Sequence, residues 1–461
     1  MVRLAMCFKV FKDDLPVNPG NCFCTHRRFL PKRPTTLILE NSVAMFCIAA
    51  LLAYVLAALL VAASPTVVIR EPPINLPVSK RYSFARGMNM VQSEQARARM
   101  MREKGMAMMG DEQIESRAAV SSIPATNGVV TYTAQVTVGN NSYSLIIDTG
   151  SSNTWVGARK AYTVSNTTVK TNQTVSVSYG SGSFSGTQYL DRVSLGSSLV
   201  INNQSIGAAS KAQGFNGVDG ILGVGPTILT QESLSPLSST QIPTVVDSLT
   251  SQGIIPSSIL GVSFAPSTSP NQVNGQLTFG GTDSSKYTGS INYIPITSRS
   301  PSSAYWGINQ SIVYGNSTAN STNILSSTAG IVDTGTTLIL LATDAFKRYA
   351  TATGGVPDSA TGLLRLTPAQ YTNLSSLFFN INGINYELTP NAQIWPRSLN
   401  VNIGGSKNFV YSIVADLGSN SGTGFDFING FSFLERYYSV YDTKNKRVGL
   451  ASTANTRSTS N

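Results

Sequence analysis

From about Val129 onward, apolar and polar residues alternate in short runs broken by Gly, Asn and Ser. Thr131-Tyr132-Thr133-Ala134-Gln135-Val136-Thr137-Val138, Val175-Ser176-Val177-Ser178-Tyr179 and Gln276-Leu277-Thr278-Phe279 each place alternate side chains on one face, the period of a half-buried strand. Helical windows are few: residues 243–252, residues 343–351 with Thr343 as N-cap, and residues 368–377 behind Thr367. The pattern predicts an all-β body. At roughly 330 residues, that body exceeds one comfortable core, so two lobes are expected, over residues 118–310 and 311–461.

An internal echo supports two lobes. Asp148-Thr149-Gly150 recurs as Asp333-Thr334-Gly335. Each copy follows an apolar run, Leu145-Ile146-Ile147 or Ile331-Val332, and precedes hydroxyl residues, Ser151-Ser152 or Thr336-Thr337. Gly220-Ile221-Leu222-Gly223 is answered in the same way by Phe427-Ile428-Asn429-Gly430. A buried strand ending in a carboxylate and turning on glycine, once per lobe, brings two aspartates face to face. Two carboxylates about 3 Å apart cannot both ionise; they share a proton, and such a pair activates a water while protonating a carbonyl.

Composition removes the main competitors. The only histidine is His26, and Cys7, Cys22, Cys24 and Cys47 all precede residue 48. Triads needing an imidazole or a thiolate are therefore excluded from the body, as are zinc sites built on them. Cys22-Phe23-Cys24-Thr25-His26 has no second ligand cluster after it, so no metal and no cofactor are expected.

Residues 43 to 63 are an uninterrupted apolar run with Arg27, Arg28, Lys32 and Arg33 before it and Ala62-Ala63-Ser64 closing it. Basic flank, apolar centre and small-residue exit make residues 43–64 a signal peptide, with an uncleaved signal anchor as the rival. Residues 1–44 read as an upstream extension or a mispredicted start. Residues 65–117 hold Arg97, Arg99, Arg102, Lys104 and Arg117 and seven methionines between Met88 and Met109. Residues 1 to 120 carry 16 Lys+Arg against 9 Asp+Glu, the remainder 17 against 14. The basic charge thus belongs largely to the leader and is no nucleic-acid footprint. A basic segment ahead of an acid-dependent site suits an inhibitory propeptide. Lys80, Arg81 and Lys104 are the open candidates for the cation it places on the carboxylates, and a cut near Arg117 would release it.

From about Val129 to Ser452 the chain resembles the pepsin-type aspartic endopeptidases, most nearly the fungal polyporopepsin group. Five segments carry the resemblance: Asp148-Thr149-Gly150-Ser151-Ser152-Asn153-Thr154-Trp155, Tyr179-Gly180-Ser181-Gly182-Ser183-Phe184-Ser185-Gly186, Val218-Asp219-Gly220-Ile221-Leu222-Gly223-Val224-Gly225, Gly330-Ile331-Val332-Asp333-Thr334-Gly335-Thr336-Thr337 and Phe433 to Asp442. The resemblance implies an all-β, two-lobed pepsin-like aspartic protease fold with a substrate cleft between the lobes.

It also implies roles. Asp148 and Asp333 would be the catalytic dyad. Ser151 and Thr336 would bond their outer oxygens, and Thr149 and Thr334 would brace the turns. Gly150 and Gly335 would let backbone N–H groups approach the carboxylates. Tyr179-Gly180-Ser181 would lie in a hairpin flap, with Tyr179 bonded to the indole of Trp155; a phosphate loop is the rival reading, but it should open a helix, whereas residues 187–195 read as a strand. Ile221 would line the primary side-chain pocket or sit in the core. Gly180, Ser181, Gly335 and Thr336 complete the expected peptide contacts.

Asn429 sits where pepsin-like chains usually carry an aliphatic residue, a difference that the resemblance to the polyporopepsin group implies is shared there; a buried amide needs partners. The expected protein is a secreted, extracellular, monomeric endopeptidase made as a zymogen. It would cut protein or peptide substrates beside bulky apolar residues, with its own propeptide as inhibitor. It would contact membrane only if residues 43–63 stay uncleaved. The alternatives are a pepsin-fold binding or inhibitor protein without catalysis and a membrane-tethered processing protease.

Overall fold

The computed structural model describes residues 73–82, 89–110, 130–236, 240–269, 272–315 and 321–461. The apolar run at 43–63, the cysteines and the expected cut near Arg117 lie outside them. The described chain is mostly strand, in a fourteen-stranded, a seven-stranded and a small three-stranded sheet. The fourteen-stranded sheet carries the first aspartate turn and the seven-stranded sheet the second.

The repeat seen in sequence is a repeat of topology. Asn141–Asp148 ends in Asp148 and pairs in parallel with Gly220–Gly223, which pairs antiparallel with Trp155–Val156. Ser321–Val332 stops just short of Asp333 and pairs in parallel with Phe427–Asn429, which pairs antiparallel with Ile339–Leu341. A segment therefore threads beneath each turn and holds its main chain. Val224 N donates to Asp148 O and Gly225 N to Ser151 O on one side, as Phe431 N does to Thr336 O and Ser432 N to Thr337 O on the other.

The three alternating runs lie on strands Val130–Val138, Val169–Ser178 and Gln272–Phe279, with Tyr179 one residue past the end of the second. Of the helical windows, Val245–Ser251 forms behind Thr244, whose hydroxyl and Asp247 make a capping box. Pro368–Thr372 starts with the same device at Thr367 but ends early, because Ser376–Ile381 is a strand. Thr343–Thr353 also forms, yet Thr343 is not its cap; Ala342 holds that position, and the Thr343 hydroxyl donates to Asp416 instead, 2.6 Å away.

The longest helix among the described residues, Met90–Met109, was absent from the sequence expectation. Asn89 caps it by accepting from Gln92 N, and Gly110 closes it in the left-handed region at φ 72°. Its buried positions include Glu94, Arg97, Ala98, Met101 and Gly105, a helical face made partly of charged groups. The leader strand Ile74–Tyr82 lies inside the large sheet, between Gln272–Phe279 and Val130–Val138. Its Lys80 is buried and pairs with buried Glu435 at 2.5 Å, where Tyr132 Oη also donates at 2.7 Å.

Candidate active site

Each aspartate is set by its own turn. Asp148 Oδ1 accepts from Gly150 N at 2.9 Å and Oδ2 from Ser151 Oγ at 2.6 Å. Asp333 Oδ1 accepts from Gly335 N at 2.9 Å and Oδ2 from Thr336 Oγ1 at 2.7 Å. The two turns are cross-braced: Thr149 N donates to Thr334 Oγ1 and Thr334 N to Thr149 Oγ1, both at 3.0 Å, while Thr334 Oγ1 donates to Ile147 O at 2.9 Å. A side chain at Gly150 would meet Asp333 Oδ1, and one at Gly335 would collide with Asp148 Oδ1. The glycines are required by the close approach of the opposite carboxylate as well as by their own N–H contacts.

One cation sits on both carboxylates, and it is Arg97. Its Nη2 donates to Asp148 Oδ1 at 2.7 Å and to Asp333 Oδ2 at 3.0 Å, and its Nε reaches Asp333 Oδ2 and Thr336 Oγ1 at 3.3 Å each. The three candidates named from sequence are corrected here. Lys80 is committed to Glu435; Arg81 borders a cavity beside the dyad; Lys104 is lowered by burial to about 8, against the attraction of Asp148 and Glu232. Arg97 wins because the helix turns the 94, 97, 101 face toward the dyad. A capped helix through Asn89 was the missing step, since that spacing means nothing until the segment is helical.

Burial pushes both aspartates up. At Asp148 it prevails, and the carboxyl lies above its ordinary value despite Arg97. At Asp333 the guanidinium, the Thr336 hydroxyl and the Gly335 N–H together outweigh burial, and the carboxyl lies below. The pair is therefore unequal. Arg97 itself stays protonated: burial works against it, but Asp148 and Asp333 outweigh burial.

Glu94, one turn before Arg97, accepts from Thr337 N at 2.8 Å, and burial raises it to about 7. A group raised by docking favours the docked state below its free value near 4.5 and loses that contribution as pH rises through about 7. Glu94→Gln should therefore tighten the leader near neutrality. Its thermal stabilisation over the parent should be small at pH 4 and grow up to pH 8. A difference independent of pH would contradict this origin.

Tyr179-Gly180-Ser181-Gly182 forms a hairpin tip between Val169–Ser178 and Ser183–Ser194, closed by Tyr179 N donating to Gly182 O at 2.8 Å. Gly180 adopts φ 72°, and a side chain there would strike the main chain of Ala96. The hairpin tip and the leader helix are therefore in contact. Because strands flank the loop on both sides, it has no phosphate-loop geometry. The expected Tyr179–Trp155 pairing is present as an interaction that offsets part of the effect of burial on the phenol, though not as a well-aligned hydrogen bond. The rings lie 6.5 Å apart and tilted, both polar atoms are buried, and the Trp155 indole and the Ser151 hydroxyl are the side-chain neighbours of the Tyr179 phenol. Both side chains are also organised by aromatic packing. Trp155 stacks on Phe184 at 4.2 Å, and Phe215 lies edge-on to Trp155 and Tyr179. Ile221 belongs to this cluster and also lines the 140 Å³ cavity beside Asp148, Tyr179, Ser181 and Gly335. Met100 of the leader helix packs against the same cluster.

The chain is similar to known proteins. Residues 131–453 match the family model for eukaryotic aspartyl protease. The chain is 65% identical to polyporopepsin of Irpex lacteus over 345 residues, 74% of this chain and 100% of that one. It is 32% identical to rhizopuspepsin of Rhizopus chinensis over 371 residues, covering 75% and 88% respectively. The crystal structure of aspartic proteinase from Irpex lacteus superimposes with a TM-score of 0.70 at 65% identity, covering 74% of this chain and all of that one.

Proposed function

The chain belongs to the eukaryotic aspartyl protease family and is an aspartic-type endopeptidase, and from that premise we propose that it is a secreted enzyme held latent by its own leader. In this reading Asp148 and Asp333 are the catalytic dyad. The observation that carries it is the single Arg97 nitrogen accepted by a carboxylate from each turn. A group as small as one N–H donor touches both aspartates, so a water in its place would be held by both once the helix leaves.

Catalysis follows from two carboxylates that share one proton. The ionised carboxylate takes a proton from the water, whose oxygen bonds to the peptide carbonyl carbon. The protonated carboxylate gives its proton to the carbonyl oxygen, and a tetrahedral diol results without a covalent enzyme intermediate. Aspartic proteases are the reference case of two carboxylates sharing one proton. Ser151, Thr336 and the two glycine N–H groups hold the outer and inner oxygens in place, and Thr149 and Thr334 fix the turns to each other. The hairpin tip at Tyr179-Gly180-Ser181 closes over the peptide.

Substrate preference is read from Trp155, Phe215 and Ile221, whose apolar surface already receives Met100 of the leader. A bulky apolar side chain of a peptide would fill the same space. The test is hydrolysis of a peptide library by the processed enzyme. Cuts should fall beside bulky apolar residues and only at acidic pH, since the dyad must hold one proton, with limbs that report two values for the pair. Activity extending as a plateau above neutrality, or cuts without apolar preference, would overturn the reading.

A further inference from the structure

Asn-X-Ser/Thr triplets, the acceptor sequence for N-linked sugar, occur in the described residues at Asn140, Asn166, Asn172, Asn203, Asn309 and Asn373. Asn309 stands apart by its surroundings. It lies inside strand Gly307–Gly315, whose alternation exposes Asn309 and buries Gln310. The Gln310 amide pairs reciprocally with that of Asn429, at 2.7 and 3.2 Å, so only Asn309 and Ser311 of the triplet face outward. Across the ladder Asn309 faces Ala329, a single methyl group. Its Oδ1 accepts from Thr297 Oγ1 at 3.0 Å, and its Nδ2 donates to nothing among the described residues. Asn309 lines a 710 Å³ cavity that shares no residue with the one at the dyad. The wall of this second cavity is polar. It includes Asn323, Ser327, Thr328 and the ion pair of Asp344 and Arg348 at 2.9 Å, both partly exposed.

We propose that Asn309 carries an N-linked glycan whose first sugars lie in this cavity. The proposal rests on the secreted reading above, because only a chain that enters the secretory route meets the sugar donor. The donor is an oligosaccharide on a polyprenyl-diphosphate carrier. Asn309 Nδ2 bonds to the anomeric carbon and loses a proton, while the bond from that carbon to the diphosphate oxygen breaks and the diphosphate leaves with its electron pair. The cavity suits what is then attached. Sugar hydroxyls both donate and accept; the Asp344 carboxylate accepts, the Arg348 guanidinium donates, and the hydroxyls of Ser327 and Thr328 do either. Its volume lies in the range of about 300–1,000 Å³ common for small-molecule sites. A free sugar would hold such partly exposed groups weakly, but a tether at Asn309 raises its effective concentration to about the millimolar range.

The test uses the full chain expressed in a fungal host, with sugar at each triplet read by mass spectrometry of its peptides. Asn309 should be occupied. Ser327→Trp places a bulky ring at an exposed point on the cavity wall and leaves the triplet intact. A peptide N-glycosidase should release sugar from Asn309 of the folded parent at least about tenfold more slowly than from folded Ser327→Trp, the protection that two ordinary hydrogen bonds provide. After denaturation the two rates should be equal. If Ser327→Trp fails to fold, Asn323→Trp, also exposed on that wall, takes its place. Asn309 bare while other triplets carry sugar overturns the proposal and leaves secretion standing, whereas a chain retained in the cell with every triplet bare overturns both. Equal release from folded parent and folded variant puts the sugar outside the cavity and overturns the proposal as well.

Discussion

Replacing Asp148 or Asp333 with Asn should lower hydrolysis by at least about a thousandfold while leaving the body folded, since the acid and base act as one unit. An asparagine keeps the side-chain oxygen that accepts from Gly150 N or Gly335 N, and it keeps the shape that Ser151 or Thr336 packs against. What it removes is the shared proton. With a neutral amide on one side, the remaining aspartate cannot both accept from water and leave a protonated partner opposite. The measurement is kcat/KM of each processed variant at acidic pH, with thermal melting alongside. Hydrolysis within tenfold of the parent in either folded variant would falsify the dyad. The same substitutions should loosen the leader in the precursor, because Arg97 loses one of the two carboxylates that hold it.

The residues of this site were legible because they are local. A strand, an Asp-Thr-Gly turn and a hydroxyl three positions on are all encoded within eight residues, and the repeat announced that there were two. The segments threaded beneath the turns were legible from the same echo. The aromatic support of the hairpin tip was only half legible: Tyr179 was matched to Trp155 by its family position, but the packing of Phe184 and Phe215 against them, four rings in all, was not in the expectation. The partner of Asn429 was invisible for a different reason. Gln310 lies 119 positions away, on a strand whose register alone brings it close.

The leader was the least legible region. Alternation identifies half-buried strands, but the helix at Met90–Met109 buries Glu94 and Arg97 beside Met101, so its inner face is not an apolar stripe. A charged inner face reads as solvated until the surface it meets is known to be acidic. Here that surface is the pair of aspartates, and the complementarity appears only in three dimensions.

Arg97→Met should therefore convert the uncut precursor from latent to active. Methionine keeps length and helix propensity, so the helix should still form. It gives up every contact to Asp148, Asp333 and Thr336, leaving two buried carboxylates facing each other without a cation. Removing one partner of a buried ion pair costs about 3–5 kcal/mol, enough to weaken leader docking by roughly a hundredfold or more. The parent precursor provides the contrast in pH. With the leader docked, Asp333 lies below its ordinary value because Arg97, Thr336 and Gly335 together outweigh burial, so acid that protonates it weakens its pairing with Arg97. Glu94 and Asp148, both raised, act in the opposite direction and set how far the pH must fall. The parent should thus stay latent at pH 5, whereas Arg97→Met should hydrolyse peptide at pH 5 with residues 65–117 still attached, as read by intact mass. Lys80→Met is the control: it strands Glu435 and should lower thermal stability, yet it leaves Arg97 on the dyad and the precursor latent. An Arg97→Met precursor that remains inactive with its leader intact would show that the helix blocks the cleft by bulk alone and that the ion pair is incidental.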